Sequence, residues 1–308
     1  MYDKPHLIPS WIAVDWGTSN FRAFLMTEEG QVIDKLSASC GLLAVQSGQF
    51  SETFRQLTCS WQGIVESLPV LMAGMVGSQQ GWRDVPYANL PVSIHQLSEH
   101  LMDVDLPWGN KGWIVAGATG NNRLNLPDVM RGEEIQLMGL ASKLGSNRGF
   151  AILPGTHSKH ALIENQSLTH FQTYMTGELF SVLKQYSILG RQLPEQEIDQ
   201  SAFLSGVDAG LNGALSSVLF SVRTQKLFQH ISSSHVESYL SGVLIGGELA
   251  DIKTQALVYL VGENSLCQLY QLALAHIGLN TEIFSGDECF LSGLTTIYKQ
   301  SKDMRNVA

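Results

Sequence analysis

Asp15 is followed, one residue on, by Gly17, Thr18, Ser19 and Asn20. In a turn, such a group offers backbone N–H groups and hydroxyls to a phosphate, and the carboxylate beside them suits a hydrated Mg²⁺. An ordinary polar turn has the same makeup. Gly155 and Thr156 repeat the Gly-Thr pair, with His157, Lys159 and His160 close behind. Lys159 is the cation placed to neutralise a phosphoryl oxygen. Between the two turns, Glu133 and Glu134 follow Gly132 and precede an apolar run, the pattern of a helix N-terminus where acids complement the dipole. Either carboxylate also suits the proton of an attacking hydroxyl. Phosphoryl transfer asks mostly for positioning and charge neutralisation. These residue types cover that need without a Walker A sequence, a GxGxxG after a strand, or the HRD and DFG elements of protein kinases, all of which are absent from the chain.

The first turn must be carried by a hairpin. Trp11–Val14 is an apolar, partly β-branched strand, Phe21–Met26 resumes the apolar pattern, and Gln31–Leu36 reads as a third strand after the turn at Glu28–Gly30. The logic recurs later: FAIL from Phe150, the turn PGTHSK, HALI to Ile163, a turn at Asn165-Gln166 and a strand over Ser167–Met175. A β-β-β meander at about 10–37 therefore returns at about 149–175, with Gly-Thr at the first tip of each copy. Elsewhere the pattern predicts helices over 50–66, 93–104, 177–185, 201–211, 214–228, 235–251, 266–276 and 287–299. Strands are predicted at 70–75, 113–116, 257–261 and 282–284, with a polar loop over 117–125 and a linker over 144–149. Gly74–Arg83, at the end of a buried strand, is a Gly-rich loop with amides, an aromatic ring and a cation, a natural ligand position. Gly262–Ser265 links a strand to a helix N-terminus, a nucleotide-contact geometry that is also common in α/β proteins generally.

With 308 residues, 44% hydrophobic and 15% charged, the composition is that of a globular protein with room for two domains. The expected division is 1–145 and 146–308. A net charge of −9 argues against a nucleic-acid or anionic-membrane partner. The four cysteines lack CxxC spacing and read as reduced structural thiols. No signal-type apolar segment opens the chain and no apolar run approaches a membrane span. A cytoplasmic location is expected, with a homodimer as an open possibility.

The order of elements resembles the actin/hexokinase superfamily, a two-domain, ribonuclease H-like α/β fold with a duplicated meander and an interdomain cleft. DWGTSNFRA, MAGMVGSQQGW, VMRGEEIQLMG, LPGTHSKH, MTGEL, FLSGVDAGLN and SGVLIGGELA look more specifically like the 2-dehydro-3-deoxygalactonokinase family, and the blocks cover nearly the whole chain. The resemblance implies ATP- and Mg²⁺-dependent phosphorylation of the C6 hydroxyl of 2-dehydro-3-deoxy-D-galactonate, in galactonate breakdown. It gives Asp15, Gly17, Thr18, Ser19 and Asn20 the first phosphate role, with Asp15 toward the metal. Gly155, Thr156 and His157 take the second, and Gly262, Asn264 and Ser265 the adenosine contact. Glu133 aligns with the base of glycerol-kinase-like enzymes, one methylene longer than their Asp; Glu134 and Glu178 remain alternatives. The small-molecule substrate is itself an acid, so a local cation is required in this acidic chain. The substrate contacts expected are Gly77, Ser78, Trp82, Arg83, Arg131 and Glu134, with Arg83 first choice for the carboxylate. Other readings are a kinase for a related 2-keto-3-deoxy sugar acid, or a non-catalytic ATP-binding switch or regulator of the same fold.

Overall fold

The computed structural model describes residues 7–144, 148–252 and 257–306, with side chains to 301. In chain order the elements are β1 (Trp11–Trp16), β2 (Phe21–Met26), β3 (Val32–Ala38), α1 (Phe50–Leu57), β4 (Val70–Ala73), β5 (Ala88–Asn89), β6 (Val92–Ser93), α2 (Ile94–Glu99), β7 (Met102–Asp105), β8 (Lys111–Ile114), β9 (Ala118–Asn121), β10 (Pro127–Met130) and α3 (Glu133–Lys143). They continue with β11 (Arg148–Leu153), β12 (Ser158–Glu164), β13 (Ser167–Tyr174), α4 (Thr176–Tyr186), α5 (Gln200–Asn212), α6 (Leu215–Val218), α7 (Ser221–Leu227), α8 (Val236–Leu249), β14 (Leu257–Gly262), α9 (Asn264–His276), β15 (Asn280–Ser285) and α10 (Gly286–Asn306).

The chain divides into two compact units. The first runs to Arg148 and adds Leu162–Phe171 and the chain from Gly286 onward; the second comprises Gly149–Ala161 and Gln172–Ser285. The sequence division at 145/146 falls on 145–147, outside the described residues, as does part of the linker read at 144–149. The C-terminal helix belongs to the first unit because of a close helix contact. A Cβ at Gly139 of α3 would lie 1.8 Å from the Cys289 carbonyl oxygen, and one at Gly293 of α10 would lie 2.2 Å from that of Ile135. Glycine at both positions lets the two backbones touch.

The sheets carry the repeat. One six-stranded sheet has the order β3-β2-β1-β4-β8-β7, and in the other the matching strands run β13-β12-β11-β14-β15. β1 pairs antiparallel with β2 and parallel with β4, which pairs parallel with β8. β11 pairs parallel with β14, and β14 with β15. Trp11, Ile12, Ala13 and Val14 are all fully buried, as expected of a strand covered on both faces. In the second unit α5 and α8 meet through Gly206, Gly210, Gly242 and Gly246. A Cβ at any of them would come within about 2.2 Å of a carbonyl on the other helix, so these four glycines of FLSGVDAGLN and SGVLIGGELA are packing residues.

Local readings differ in four places. The helix expected over 50–66 stops at Leu57, where Thr58 turns its hydroxyl onto the Phe54 carbonyl and competes with helix continuation. The helix expected over 93–104 ends at Glu99 and gives way to β7. The polar loop over 117–125 contains β9, paired with β10 and β5; its strand character comes from partners distant in sequence. The helix expected over 214–228 is two pieces, α6 and α7.

Candidate functional site

In the first unit, three segments meet where the parallel strands β1 and β4 end, the usual position for a ligand in an open α/β sheet. Asp15 stands at the end of β1. Gly74, just past β4, has φ +96°, and a Cβ there would lie 2.8 Å from the Trp16 carbonyl oxygen and 3.3 Å from Asp15 Oδ1. Gly132, with φ +109°, precedes α3, and its Cβ would lie 3.4 Å from Gly74 Cα. These positive φ values, together with the contact at Gly74, ask for glycine. They bring the start of α3, with Glu133 and Glu134, to the end of β1.

The two acids then differ. Glu133 is half-buried, accepts a hydrogen bond from Arg131 N at 3.2 Å, and its charge reaches Asp15. Glu134 is fully buried, with both carboxyl oxygens on Gly132 N at 2.9 and 2.7 Å. Burial, reinforced by Glu133, pushes its pKa up to about 8. Burial also raises the Asp15 carboxyl, against the opposing pull of Arg22. Arg22 donates to Asp15 Oδ2, through Nε at 3.1 Å and through Nη2, and its Nη1 reaches Asp287 at the start of α10. Lys35 completes the chain on Asp287 at 3.0 Å.

Thr18, Ser19 and Asn20 are exposed at the hairpin tip. The carbonyls of Gly17, Thr18 and Ser19 accept from Leu42, Leu43 and Gly41 at 2.9 to 3.2 Å, which pins the turn from one side. Gly77 and Arg131 are brought together: a Cβ at Gly77 would lie 2.8 Å from Arg131 Nη1. Arg131 is 8% exposed, stacks 4.2 Å from the Tyr87 ring centre and donates from Nη2 to the Val85 carbonyl at 2.7 Å. Its Nε and Nη1 are buried without a hydrogen-bond partner, and so is Ser78 Oγ. Buried N–H groups of a cation left unpaired are costly and call for an explanation. The Trp82 ring packs against Trp16 and Phe54. Arg83 is exposed and donates to the Asp103 carbonyl at 2.8 Å.

In the second unit, Thr156 and His157 are exposed on the turn between β11 and β12. The first turn of α4 backs this tip: Glu178 N donates to the Thr156 carbonyl at 2.9 Å, and the Glu178 carboxylate meets His157 Nε2 at 2.5 Å. Lys159 is buried, and its ammonium donates to the His157 carbonyl at 2.9 Å, bracing the turn from below. After Gly262, Glu263 caps α9 by accepting from Ser265 N and Leu266 N at 3.1 Å and from Ser265 Oγ at 2.5 Å. Those bonds, led by the Ser265 hydroxyl, hold its carboxyl below the ordinary range. Sequence reasoning named Asn264 and Ser265 and passed over Glu263, although an acid before a helix start is a recognisable cap signal.

Among the described residues, no group of three or more His, Cys, Asp or Glu makes a metal cage. No helix among them is long and apolar enough to cross a membrane.

Residues 15–297 match the family model described as 2-keto-3-deoxy-galactonokinase. The chain is 34% identical over 292 residues to the 2-dehydro-3-deoxygalactonokinase of Escherichia coli K12, covering 93% of this chain and 97% of that protein. A crystal structure of a candidate 2-dehydro-3-deoxygalactonokinase from Sinorhizobium meliloti superposes with a TM-score of 0.85 at 31% identity, over 94% of this chain and 98% of that one. The ADPNP-bound activator of 2-hydroxyisocaproyl-CoA dehydratase from Clostridium difficile superposes at 0.51 with 12% identity, over 97% of each chain, a likeness of fold alone.

Proposed function

The chain belongs to the 2-keto-3-deoxy-galactonokinase family and has the actin-like α/β fold, and from that premise we propose that it transfers the γ-phosphoryl group of ATP to the C6 hydroxyl of 2-dehydro-3-deoxy-D-galactonate. The observation that carries the reading is the approach of Glu133 to Asp15 across Gly74 and Gly132. It sets a half-exposed carboxylate beside the phosphate-type hairpin that transfer needs.

Glu133 accepts the hydroxyl proton as the C6 oxygen bonds to phosphorus and the bridging bond to the β-phosphate breaks. Glu134 is a poor base at neutral pH, because a carboxyl titrating near pH 8 already carries its proton. Glu178 is spoken for by His157. The exposed N–H and hydroxyl side of Thr18–Asn20, and the tip at Gly155–His157, suit phosphate oxygens. Asn264 and Ser265 sit where α9 opens, suited to the nucleoside end. Arg131 fits the substrate carboxylate better than Arg83, because it is buried with donors unspent while Arg83 is held at the surface.

The residues fit a nucleotide-borne Mg²⁺. Such an ion is held by one or two carboxylates with phosphate oxygens and water. Asp15 commits Oδ2 to Arg22, and glycine at position 74 keeps a side chain away from Oδ1. When bound, the ion supplies neutralisation of charge on the phosphate oxygens.

A coupled ADP-release assay with Mg²⁺ATP tests this, using 2-dehydro-3-deoxygalactonate and separately its gluconate epimer. Turnover with the galactonate compound, lost in Glu133→Gln and Asp15→Asn, is expected. Turnover surviving Glu133→Gln would move the base to another carboxylate. No turnover with either acid, alongside measurable ATP binding, would overturn the kinase reading in favour of a regulator.

A further inference from the structure

Glu248, near the end of α8, is 3% exposed. Burial alone would push its carboxyl up, but His160 and the hydroxyls of Thr176 and Tyr270 outweigh that and hold it below the ordinary range. An ionised carboxylate only accepts hydrogen bonds, so each of its partners is a donor. Oε1 accepts from Ser158 Oγ at 2.7 Å and His160 Nε2 at 2.8 Å. Oε2 accepts from Tyr270 OH at 2.7 Å and from the Thr176 hydroxyl. A buried charge is tolerated when donors replace its lost water in this way.

The donors come from β12, α4 and α9, and each fixes something different. Ser158 directly follows the turn Gly155–His157. Thr176 begins α4, whose next residue, Gly177, is pressed onto that turn: a Cβ there would lie 2.4 Å from the Gly155 carbonyl oxygen. Tyr270 is on α9, whose first turn holds Asn264 and Ser265. One carboxylate thus ties the two stretches of the second unit assigned to the nucleotide, which are more than a hundred residues apart in sequence.

We propose that Glu248 is a positioning residue for nucleotide: it touches no ligand, but it fixes the turn Gly155–His157 and the helix bearing Asn264 and Ser265 in one arrangement. The proposal rests on the kinase reading above. It predicts that loosening the clamp weakens nucleotide and leaves the sugar acid alone, which a general loss of stability would not do.

The experiment uses the full chain and the variants Glu248→Gln, Tyr270→Phe and Ser158→Ala. The readouts are Mg·ADP affinity by titration calorimetry and steady-state KM for ATP and for 2-dehydro-3-deoxygalactonate. Glu248→Gln replaces one acceptor with an N–H₂ group facing donors. It should weaken ADP and raise the KM for ATP by about tenfold or more, the size of one lost charged hydrogen bond. Tyr270→Phe and Ser158→Ala remove one donor each and should give smaller changes in the same direction, on the order of threefold. The KM for the sugar acid should stay within about twofold in all three, well below the tenfold that one such bond is worth. If Glu248→Gln does not fold, the other two variants decide. Unchanged ADP affinity in the folded variants overturns the proposal, and so does an equal rise of both KM values. A wild type that binds ADP without phosphorylating the sugar acid overturns the kinase reading, while the ADP titrations still decide on Glu248. A wild type that binds no ADP overturns both.

Discussion

Glu134→Gln should change the way stability responds to pH. In the folded protein burial pushes the Glu134 carboxyl up to about 8, against an ordinary glutamate value of 4.5. Between those values the folded state holds a proton that the unfolded state has released. Unfolding free energy therefore falls as pH rises through that window, and levels off above the folded pKa. A gap of some 3.5 units at about 1.4 kcal/mol each is about 5 kcal/mol in full, of which about 4 falls between pH 5 and pH 9. Glutamine has the same shape, keeps an oxygen for Gly132 N and has no proton to lose, so the variant lacks this slope. The assay is thermal unfolding of both proteins at half-unit steps from pH 5 to pH 9. The melting temperature of the variant relative to wild type should climb with pH by roughly 10 °C, from about 2–4 °C per kcal/mol for a unit of this size. A difference that stays constant across the range would refute the reasoning: Glu134 would then be ionised in the folded state, and its exclusion as the base would fall with it.

Three other outcomes follow from the same geometry. Arg22→Met removes the chief influence that holds the Asp15 carboxyl down. Its pH–rate profile should show an acid limb moved to higher pH, with turnover reduced at least about tenfold; an unmoved limb would mean that Arg22 does not govern Asp15. Gly246→Ala and Gly247→Ala are adjacent in α8 with opposite expectations. The first puts a Cβ 2.2 Å from the Val207 carbonyl oxygen, while the second makes ordinary contacts with a Leu215 methyl at 3.4 Å and the Gly210 carbonyl oxygen at 3.9 Å. Thermal melts should show Gly246→Ala destabilised by about 1–3 kcal/mol, from overpacking. Gly247→Ala should be neutral or up to about 1 kcal/mol more stable, from helix propensity. Burial pushes the Cys267 and Cys289 thiols up to about 11. A thiol reagent at pH 8 should therefore label exposed Cys59 promptly and these two only on unfolding.

Much of the fold was legible because its signals are local. The apolar run Trp11–Val14, the polar tip after it and the resumed strand at Phe21 make a hairpin from neighbouring residues alone. The same grammar at Phe150 revealed the duplication, which the matching strand orders bear out. The helix start at Glu133 was legible for the same reason. β9 was not, because ATGN has no strand pattern of its own and is extended by pairing with β5 and β10. Nor was the place of α10, which depends on two glycines more than 150 residues apart.

The candidate site divides along the same line. By itself the sequence determined which residue types lie on which turns: Asp15 and its small polar neighbours, the Gly-Thr pair at Gly155, and two acids opening a helix. Only the tertiary structure decided between equals. Glu133 and Glu134 are adjacent and chemically alike, yet one stays half-buried with its charge felt at Asp15 while the other is sealed in the core. Arg83 and Arg131 are both cations in motif blocks, but the surroundings spend one on Asp103 and leave the other with buried donors unused. Glu248 lies near the end of a glycine-rich helix, and four donors from three elements close on it. Burial and hydrogen bonding are set by what packs against a residue, and that partner is usually far away in the chain.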